Sequence, residues 1–221
     1  MSSNQAPGSA ALTYPHYGLS VVACHWPVPA EFPQFCSCGS LHCRTPARHP
    51  IGALSPADAT RDPSQLSRWW LAHPAANLAA FTDTTRIGVI ELHHPELVHP
   101  ANPGHLMRLL NGHYADLCPI IHAGPGRMQF LVQPGEPGAH HSQLETDPTD
   151  PFASDNPAVA MLAPDTLFLL PPSRQMSGER VRWMRRLRHA SRLPAAKPLL
   201  DVLADFIETG ALNDLRILLA T

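Results

Sequence analysis

The 221-residue sequence has almost no lysine, little net charge and no long apolar run. Lys197 is the only lysine, and the formal net charge is -2. This balance excludes a protein that binds nucleic acid through overall basic charge, but it leaves room for a local basic groove. No apolar run approaches the roughly 20 residues that a membrane-spanning helix requires. We therefore expect no membrane association.

The N-terminus lacks the charged and apolar regions of a secretory leader. Residues 1–9 are small and polar and are expected to form a disordered tail. The five cysteines are an odd number, which does not suggest a complete disulfide framework. A cytoplasmic location is expected, where clustered cysteines more often bind metal than form disulfides. At this length, one domain with a substantial core is the simplest organisation.

A short loop concentrates metal-binding residue types. Within fourteen positions it contains Cys36, Cys38, Cys43 and His49. The spacing C-x-C-x4-C-x5-H supplies four thiolate and imidazole ligands, which suit a tetrahedral structural zinc. His42 is an alternative fourth ligand, and Cys24 or His25 is a more distant one. The competing interpretation is a polar loop with free thiols and a surface histidine. We predict a zinc-pinned loop over residues 36–49.

The hydrophobic pattern predicts an α+β or mixed α/β domain, because strands and helices mix without regular alternation. Strands are predicted over residues 19–24, 78–81, 87–92, 120–122, 128–132, 167–170 and 181–183. Helices are predicted over residues 10–17, 106–114, 198–209 and 212–219, with another beginning near residue 62. We expect mixed sheets flanked by helices, with the main domain over 10–190 and C-terminal helices over 191–221. Residues 133–157 are rich in Pro, Gly, His and acid and are expected to form a flexible excursion.

One helix has a clear start and a clear apolar face. Thr60 or Asp62 is expected to cap it, with a proline in its first turn. Leu66, Trp69 and Trp70 follow at i, i+3 and i+4 and should pack inward. The segment after this helix, from residue 78 to residue 92, is expected to form two strands joined by a polar turn.

Several separated stretches resemble one protein family. They are Ala11-Leu12-x-Tyr14, the cysteine loop with Pro46-x-Arg48-His49-Pro50, Ala59-Thr60-x-Asp62-Pro63 with Trp69-Trp70 and Asn77, and Pro171-Pro172-Ser173 with Trp183. Together they resemble the N-terminal domains of bifunctional DNA primase/polymerases, in the archaeo-eukaryotic primase superfamily. The cysteine loop is similar to one in actinobacterial members. The resemblance covers residues 10–183 and implies a primase-polymerase-like fold.

The resemblance implies two-metal nucleotidyl transfer, which needs an Asp-x-Asp strand, a third acid and a hairpin histidine. Here Glu91 and His93 stand at the Asp-x-Asp positions, and Met128 stands where the hairpin histidine is expected. Asp165 lies one or two residues away from the place of the third acid. Mg²⁺ prefers carboxylate oxygens in strict octahedral geometry, so this set disfavours it. Alternatively, Glu91, His93 and His94 bind Mn²⁺ or Zn²⁺, although we favour the interpretation that His93 and His94 are solvated at the end of a strand.

Arginines are the candidate nucleic-acid contacts. A cluster with Trp183 contains Arg180, Arg182, Arg185 and Arg186, and Arg127 lies on the Gly-rich hairpin. Arginines can neutralise phosphates while an aromatic ring stacks on a base. The competing interpretation is a solvated face whose charges pair with acids of the C-terminal helices, Asp201, Asp205 and Glu208.

These observations give three hypotheses. The first is a degenerate, stand-alone and catalytically inactive primase-polymerase-like protein that binds DNA, RNA or a protein partner. The second is an active primase or polymerase with altered ligands for Mg²⁺ or Mn²⁺, and only this one requires those ions. The third is a protein-interaction module that does not bind nucleic acid.

Overall fold

The computed structural model describes residues 6–28, 35–93, 118–135 and 159–208, with side chains up to residue 203. Its helices are α1 (Pro7–Ala11), α2 (Pro63–Ala72) and α3 (Ala196–Glu208), and 3-10 helices span Tyr14–Tyr17, Pro56–Asp58 and Ala190–Arg192. Its strands are β1 (Val22–Cys24), β2 (Pro27–Val28), β3 (Phe35–Cys36), β4 (Asn77–Phe81), β5 (Gly88–His93), β6 (Ile120–His122), β7 (Arg127–Val132), β8 (Val159–Met161), β9 (Leu167–Leu170) and β10 (Arg182–Arg185). The mixture of helices and antiparallel sheets confirms the predicted α+β class.

The strands form three sheets, and the named strand pairs are antiparallel. Their orders are β1-β4-β9, β10-β6-β7-β5-β8 and β2-β3. The predicted polar turn joins β4 to β5, and the Asp83 carboxylate accepts hydrogen bonds from the backbone N–H groups of Thr85, Arg86 and Ile87. The two strands do not pair with each other. Instead, the turn carries the chain from the three-stranded sheet to the five-stranded sheet.

The five-stranded sheet separates two hydrophobic cores, because successive side chains of a strand point to opposite faces. On one face, Val89 and Leu131 join a core that includes the three-stranded sheet, α1 and α2. On the other face, Leu92 and Met128 join a core that includes Leu199 of α3. The two faces therefore present different groups of side chains from the same strands.

Helix α2 has the predicted start and packing. The Asp62 carboxylate accepts a hydrogen bond from the Ser64 backbone N–H at 2.9 Å, which satisfies a donor left unpaired at the helix start. Leu66 and Trp70 are buried and Trp69 is partly buried. The Trp70 indole N–H donates to the Ala76 carbonyl at 3.0 Å, which ties the helix end to the approach of β4.

Some element boundaries differ from the prediction. Helix α1 begins at Pro7, inside the predicted tail, and a separate 3-10 helix follows it. Strand β1 is shorter than predicted, since Val21 makes only an isolated bridge to Thr60. The predicted helices over 106–114 and 212–219 lie outside the described residues, as does 136–158 of the predicted excursion. Among the described helices, none is both long and apolar enough to cross a membrane.

Candidate metal loop and the Glu91 site

Residues 36–49, which we call the metal loop, bring all four predicted metal ligands together. The ligand atoms of Cys36, Cys38, Cys43 and His49 lie within 4.8 Å of one another. The His49 Nε2 atom is 3.3 Å from the Cys36 sulfur and 3.4 Å from the Cys43 sulfur. Tetrahedral ligands about 2.3 Å from a zinc ion would lie about 3.8 Å apart. The cluster can therefore hold one metal ion, and its thiolate and imidazole donors are compatible with zinc.

The alternative ligands lie elsewhere. His42 is exposed, and its backbone N–H donates to the Ser40 hydroxyl. Cys24 is fully buried in the core on β1. The His25 ring lies beside the His49 ring in a tilted arrangement, with centroids 4.4 Å apart, and its Nδ1 atom is 2.9 Å from the Ser37 hydroxyl. His49, and none of these three residues, belongs to the group of four that could hold a metal ion.

Backbone hydrogen bonds hold the loop closed. The Gly39 N–H donates to the Cys36 carbonyl at 3.0 Å, in a turn where Gly39 has φ of 74°. The Ala47 N–H donates to the Cys36 sulfur at 3.3 Å. Burial raises the pKa of Cys43 to about 11, whereas a hydrogen bond from the Ser40 backbone lowers the pKa of Cys38. Since metal ions bind thiolates, metal binding at this loop would release protons.

Glu91 on β5 lies at the centre of a second cluster. It pairs across the sheet with Gln129 of β7. Its Oε1 atom accepts from Arg127 Nη2 at 2.5 Å and from Arg127 Nε at 3.2 Å. Its Oε2 atom accepts from Gln129 Nε2 at 2.7 Å. The Glu91 side chain is 14% exposed and that of Arg127 is 26% exposed. Both carboxylate oxygens are therefore engaged by protein donors.

Arg48 of the metal loop adds a second positive charge to this cluster. Burial alone would raise the pKa of Glu91, but Arg127, Gln129 and Arg48 together lower it. Burial and the nearby Arg127 charge lower the pKa of Arg48 to about 10, while Glu91 opposes that shift. The positive charges of Arg127 and Arg48 therefore both favour the ionised form of Glu91.

His93 and Met128 lie on different faces of the sheet. His93 pairs with Arg127 across the strands, shares the face of Glu91 by strand alternation, and is exposed. Met128 pairs with Leu92 and is fully buried in the core beneath α3. Met128 is thus not next to Glu91, and the residue opposite Glu91 is Gln129. His94 lies outside the described residues.

Two members of the cluster, Gln129 and Arg48, were absent from the predicted site. The alternation of β7 could have revealed Gln129, because residues 127 and 129 share a face. No comparable signal pointed to Arg48.

Asp165, the nearest candidate for a third acid, is an exposed turn residue before β9, and its N–H donates to the Thr82 carbonyl. It lies at the end of the other sheet.

The predicted nucleic-acid contacts do not form one surface. Across the sheet, Arg182 pairs with His122, and a bulge brings Arg185 opposite Ile120. This register places Arg182 and Arg185 on the face of Met128, opposite to that of Arg127. Arg180 and Arg186 are exposed before and after β10.

Trp183 is part of the protein's own packing. Its indole N–H donates to the Tyr14 hydroxyl at 3.2 Å, and the two ring centroids are 6.4 Å apart. The Tyr14 hydroxyl in turn donates to the Pro171 carbonyl at 2.5 Å.

The acids proposed to pair with the arginines lie on α3 or beyond the described side chains. The Asp201 carboxylate accepts from Lys197 at 2.8 Å. Side-chain positions of Asp205 and Glu208 lie outside the described residues.

Comparison with known proteins gives two results. No curated protein matches the chain. The family model of the bifunctional DNA primase/polymerase N-terminal domain matches residues 11–196, which cover most of the sequence and include both the metal loop and the Glu91 site. The chain therefore belongs to the family of bifunctional DNA primase/polymerase N-terminal domains.

Proposed function

We propose that this primase/polymerase-like protein binds nucleic acid but does not catalyse nucleotidyl transfer. The observation that carries this proposal is the engagement of Glu91: Arg127 occupies one carboxylate oxygen and Gln129 occupies the other. A divalent cation at this position would have to displace a guanidinium group from a mostly buried ion pair. Removing one partner of such a pair leaves the other charge poorly solvated, which is costly.

The charge around Glu91 also disfavours metal-dependent catalysis. Two-metal catalysis concentrates carboxylates so that paired Mg²⁺ ions can hold the attacking and leaving oxygens. Here Arg127 is paired with Glu91, Arg48 adds a second positive charge that acts on this carboxylate, and both arginines repel cations. Within the described residues, the metal loop is the only group of three or more Cys, His, Asp or Glu side chains placed to share an ion. The structure therefore supports anion binding better than Mg²⁺ binding at Glu91.

We assign the metal loop to structural zinc. Three sulfurs and one imidazole nitrogen form a closed set of four donors, which is typical of structural sites, since catalytic zinc keeps a coordination position open. All five cysteines of the chain are free thiols in the structure. A reducing cytoplasm, which the cysteine usage led us to expect, would keep the thiols available to the metal.

Nucleic-acid binding is supported by family membership and by the arginines near Glu91. Phosphate contacts made by arginine release counterions, so the affinity should fall with salt, with a log–log slope of about −0.7 per phosphate contact for single strands. A protein-interaction module would show no such salt-dependent binding of DNA or RNA.

Catalysis is tested by incubating the purified, metal-replete protein with primed and unprimed templates, labelled nucleotides and either Mg²⁺ or Mn²⁺. We expect no template-dependent product. Synthesis that is present in the wild type and lost in Glu91→Ala would overturn the proposal and establish an active enzyme.

Nucleic-acid binding is tested by fluorescence anisotropy with labelled single-stranded DNA and RNA over a range of salt concentrations. We expect Arg127→Met to weaken binding and to reduce the salt slope. Arg68→Met is the matched control, because Arg68 is an exposed arginine on α2 and its loss changes the net charge equally. Salt-independent binding, or no binding to either strand, contradicts the proposal.

A further inference from the structure

His122 is a buried histidine whose ring makes no hydrogen bond within the described part of the chain. It ends β6, and only 2% of the residue is exposed. Both ring nitrogens are shielded from solvent, and neither has a hydrogen-bond partner there. The imidazolium form carries a positive charge and two N–H donors. Burying them without partners is unfavourable, so the surroundings favour the neutral ring.

The neighbours of His122 on the sheet add no partner for a positive charge. His122 pairs with Met128 of β7 on one side and with Arg182 of β10 on the other. Residues directly opposite each other on antiparallel strands have Cβ atoms about 5 Å apart, and like charges in such a pair are destabilising. Protonation of His122 would therefore place a second positive charge opposite Arg182.

The hairpin before β10 brings one acid close to His122. Residues 174–180 form this hairpin, in which the Gln175 N–H donates to the Glu179 carbonyl at 2.9 Å. The Gln175 side chain donates to the carbonyl of Ala123, the residue that follows His122. The Oε2 atom of Glu179 is shielded from solvent and has no hydrogen-bond partner among the described residues. Glu179 is thus placed to offset part of a charge on His122.

The combined effect of these groups is to disfavour the charged ring. Burial and the Arg182 charge lower the pKa of His122 below its ordinary value of 6.5, and Glu179 opposes this shift. The α3 side chains that join the core on this face of the sheet are apolar, whereas the Lys197–Asp201 pair of α3 is exposed. The described surroundings therefore keep His122 neutral at pH 7.

Strand β10 is the element that protonation of His122 would affect. It lies at one end of the five-stranded sheet, and among the described strands it pairs only with β6. The pairing consists of three residue pairs interrupted by a bulge, and the pair of His122 with Arg182 is at one end of it. A short strand at the end of a sheet can open locally while the rest of the domain stays folded.

Hydrogen bonds on both sides limit how far such an opening can extend. Before the hairpin, the Ser173 hydroxyl and the backbone of Leu78 exchange two hydrogen bonds at 2.8 Å. After β10, the Gln133 N–H donates to the Pro194 carbonyl at 2.7 Å, and the Ala196 N–H donates to the Gln133 carbonyl at 3.1 Å. Opening is therefore confined to the chain between these two anchors.

We propose that His122 and Arg182 form a pH-sensitive latch: a neutral His122 leaves β10 paired with β6, and protonation of His122 releases β10 at mildly acidic pH. Release would expose the backbone edge of β6 and free the Trp183 indole from its hydrogen bond to the Tyr14 hydroxyl. The latch is independent of nucleic-acid binding, because none of these residues belongs to the metal loop or contacts Glu91.

The expected pH range follows from the two forms of the ring. Once β10 opens and water reaches His122, its pKa returns towards the ordinary value of 6.5, whereas the paired form has a lower pKa. The paired form therefore loses stability as the pH falls below about 6.5, until the lowered pKa is reached. Between pH 7.5 and pH 5.5 the ratio of open to paired β10 should rise by up to about tenfold.

The first measurement is an NMR titration of the histidine side chains in isotope-labelled protein. His122 should titrate below pH 6.5 in the wild type. Arg182→Met should move this titration to higher pH, because it removes the like charge, and Glu179→Gln should move it to lower pH. A His122 that titrates at or above pH 6.5, or that neither substitution moves, overturns the latch. This measurement does not require a variant at His122 to fold.

The second measurement is amide hydrogen exchange of residues 182–185 between pH 7.5 and pH 5.5, divided by the intrinsic exchange rate at each pH. The opening of β10 should rise by up to about tenfold in the wild type and by less than about twofold in His122→Leu. His16→Leu is the matched control, because His16 is an exposed histidine, and it should behave as the wild type. Any loss of loop metal in acid affects all three proteins. Equal pH dependence in His122→Leu and the wild type would show that His122 does not control β10.

Discussion

The metal loop and the Glu91 site are two places where side chains could meet a cation, and they differ in what occupies the centre. In the loop, four neutral or ionisable donors converge within 4.8 Å and no positive side chain is among them. At Glu91 a guanidinium nitrogen already lies 2.5 Å from the carboxylate. One cluster is arranged for a metal ion, and the other already contains its own cation.

This difference shows that the fold alone does not determine the metal chemistry of the domain. Both sites lie within the segment that matches the family, but function depends on the particular side chains that a fold presents. The metal loop also has a connection to the three-stranded sheet, because the Ala47 N–H donates to the Cys36 sulfur and the Ala47 carbonyl accepts from Asn77 of β4. Variants can therefore be chosen to affect either region or this connection.

The largest expected effect comes from removing a metal ligand. In Cys43→Ser the cluster keeps only three of its four donors, and since metal binding contributes to folding, both metal content and stability should fall. Loss of a few kcal/mol lowers the Tm of a chain of this size by roughly 10 °C. Elemental analysis of the purified protein and differential scanning calorimetry measure the two effects.

The matched control is His42→Ser, a change at the neighbouring exposed histidine that lies outside the cluster. It should keep its metal and its Tm. A Cys43→Ser protein with undiminished metal content would show that the ligand assignment is wrong, and a loss in His42→Ser instead would restore His42 as the fourth ligand.

The next largest effect is expected at the connection. The buried Asn77 amide donates to the carbonyls of Ala47 and Arg174 and accepts from the Arg174 N–H at 2.8 Å. Asn77→Ala removes three hydrogen bonds at about 1 kcal/mol each and leaves buried partners unsatisfied. We expect the free energy of unfolding to fall by about 3 kcal/mol, measured by urea denaturation at fixed metal content.

Asn77→Asp separates the roles of the amide group, because it keeps the oxygen that accepts from the Arg174 N–H and removes both donors. Its free energy of unfolding should be lower than that of the wild type. If Asn77→Ala were as stable as the wild type, the hydrogen bonds that join the metal loop to β4 would not contribute to stability.

A smaller effect is expected from the Glu91 carboxylate, and it depends on pH. Since the folded protein lowers the pKa of Glu91 below its ordinary value of 4.5, ionised Glu91 stabilises the native state above that pH. This contribution is lost as the pH falls through the lowered pKa. Glu91→Gln should cost about 1–2 kcal/mol at pH 7, because hydrogen bonds to a charged group are lost.

The measurement is urea denaturation of the wild type and Glu91→Gln between pH 7 and pH 3. The difference in unfolding free energy between them should shrink as the pH falls. Acid protonates the loop thiolates in both proteins, so their difference isolates Glu91. If the difference stayed constant over this range, ionisation of Glu91 would not stabilise the native state.

Local patterns in the sequence predicted the elements and ligands whose partners are near in the chain. The cap of α2 needs only Asp62 and the residues just after it, and the loop ligands lie within one short segment. Apolar and β-branched runs identified most strands, because such residues suit a buried pleated surface. The metal cluster and the turn at Asp83 were predictable for this reason.

The composition of the Glu91 site depended on contacts between distant segments. Which residue faces Glu91 is set by the pairing of β5 with β7, and a shift of one residue exchanges the two faces. The resemblance placed Met128 at the position of the hairpin histidine but did not say which residue of β7 lies opposite Glu91, and the register shows that this residue is Gln129. Arg48 is far from Glu91 in the sequence, so its electrostatic effect on that carboxylate depends on packing between distant segments, which no local pattern encodes.

The smallest expected effect is that of replacing His93, and His49 of the metal loop serves as its comparison. His49 belongs to the metal cluster, whereas His93 is exposed at the end of β5 beside Arg127. His49→Ala should lose the loop metal. His93→Ala should change the unfolding free energy by no more than about 0.5 kcal/mol, as is usual for surface substitutions, and should leave the metal content unchanged.

This pair directly tests the alternative in which Glu91 and His93 bind Mn²⁺ or Zn²⁺. That alternative requires a second ion in the wild type, and His93→Ala should then remove it while the loop ion stays. Elemental analysis after equilibration with excess Mn²⁺ and removal of free ions separates the two cases. We expect one tightly held ion in the wild type and in His93→Ala, because the Arg127 guanidinium already satisfies the carboxylate that a second ion would need. If the wild type instead held a second ion that His93→Ala loses, the Arg127 guanidinium would have to move away from Glu91 when Mn²⁺ or Zn²⁺ binds. The contrast between the two regions would then hold only at low concentrations of these ions.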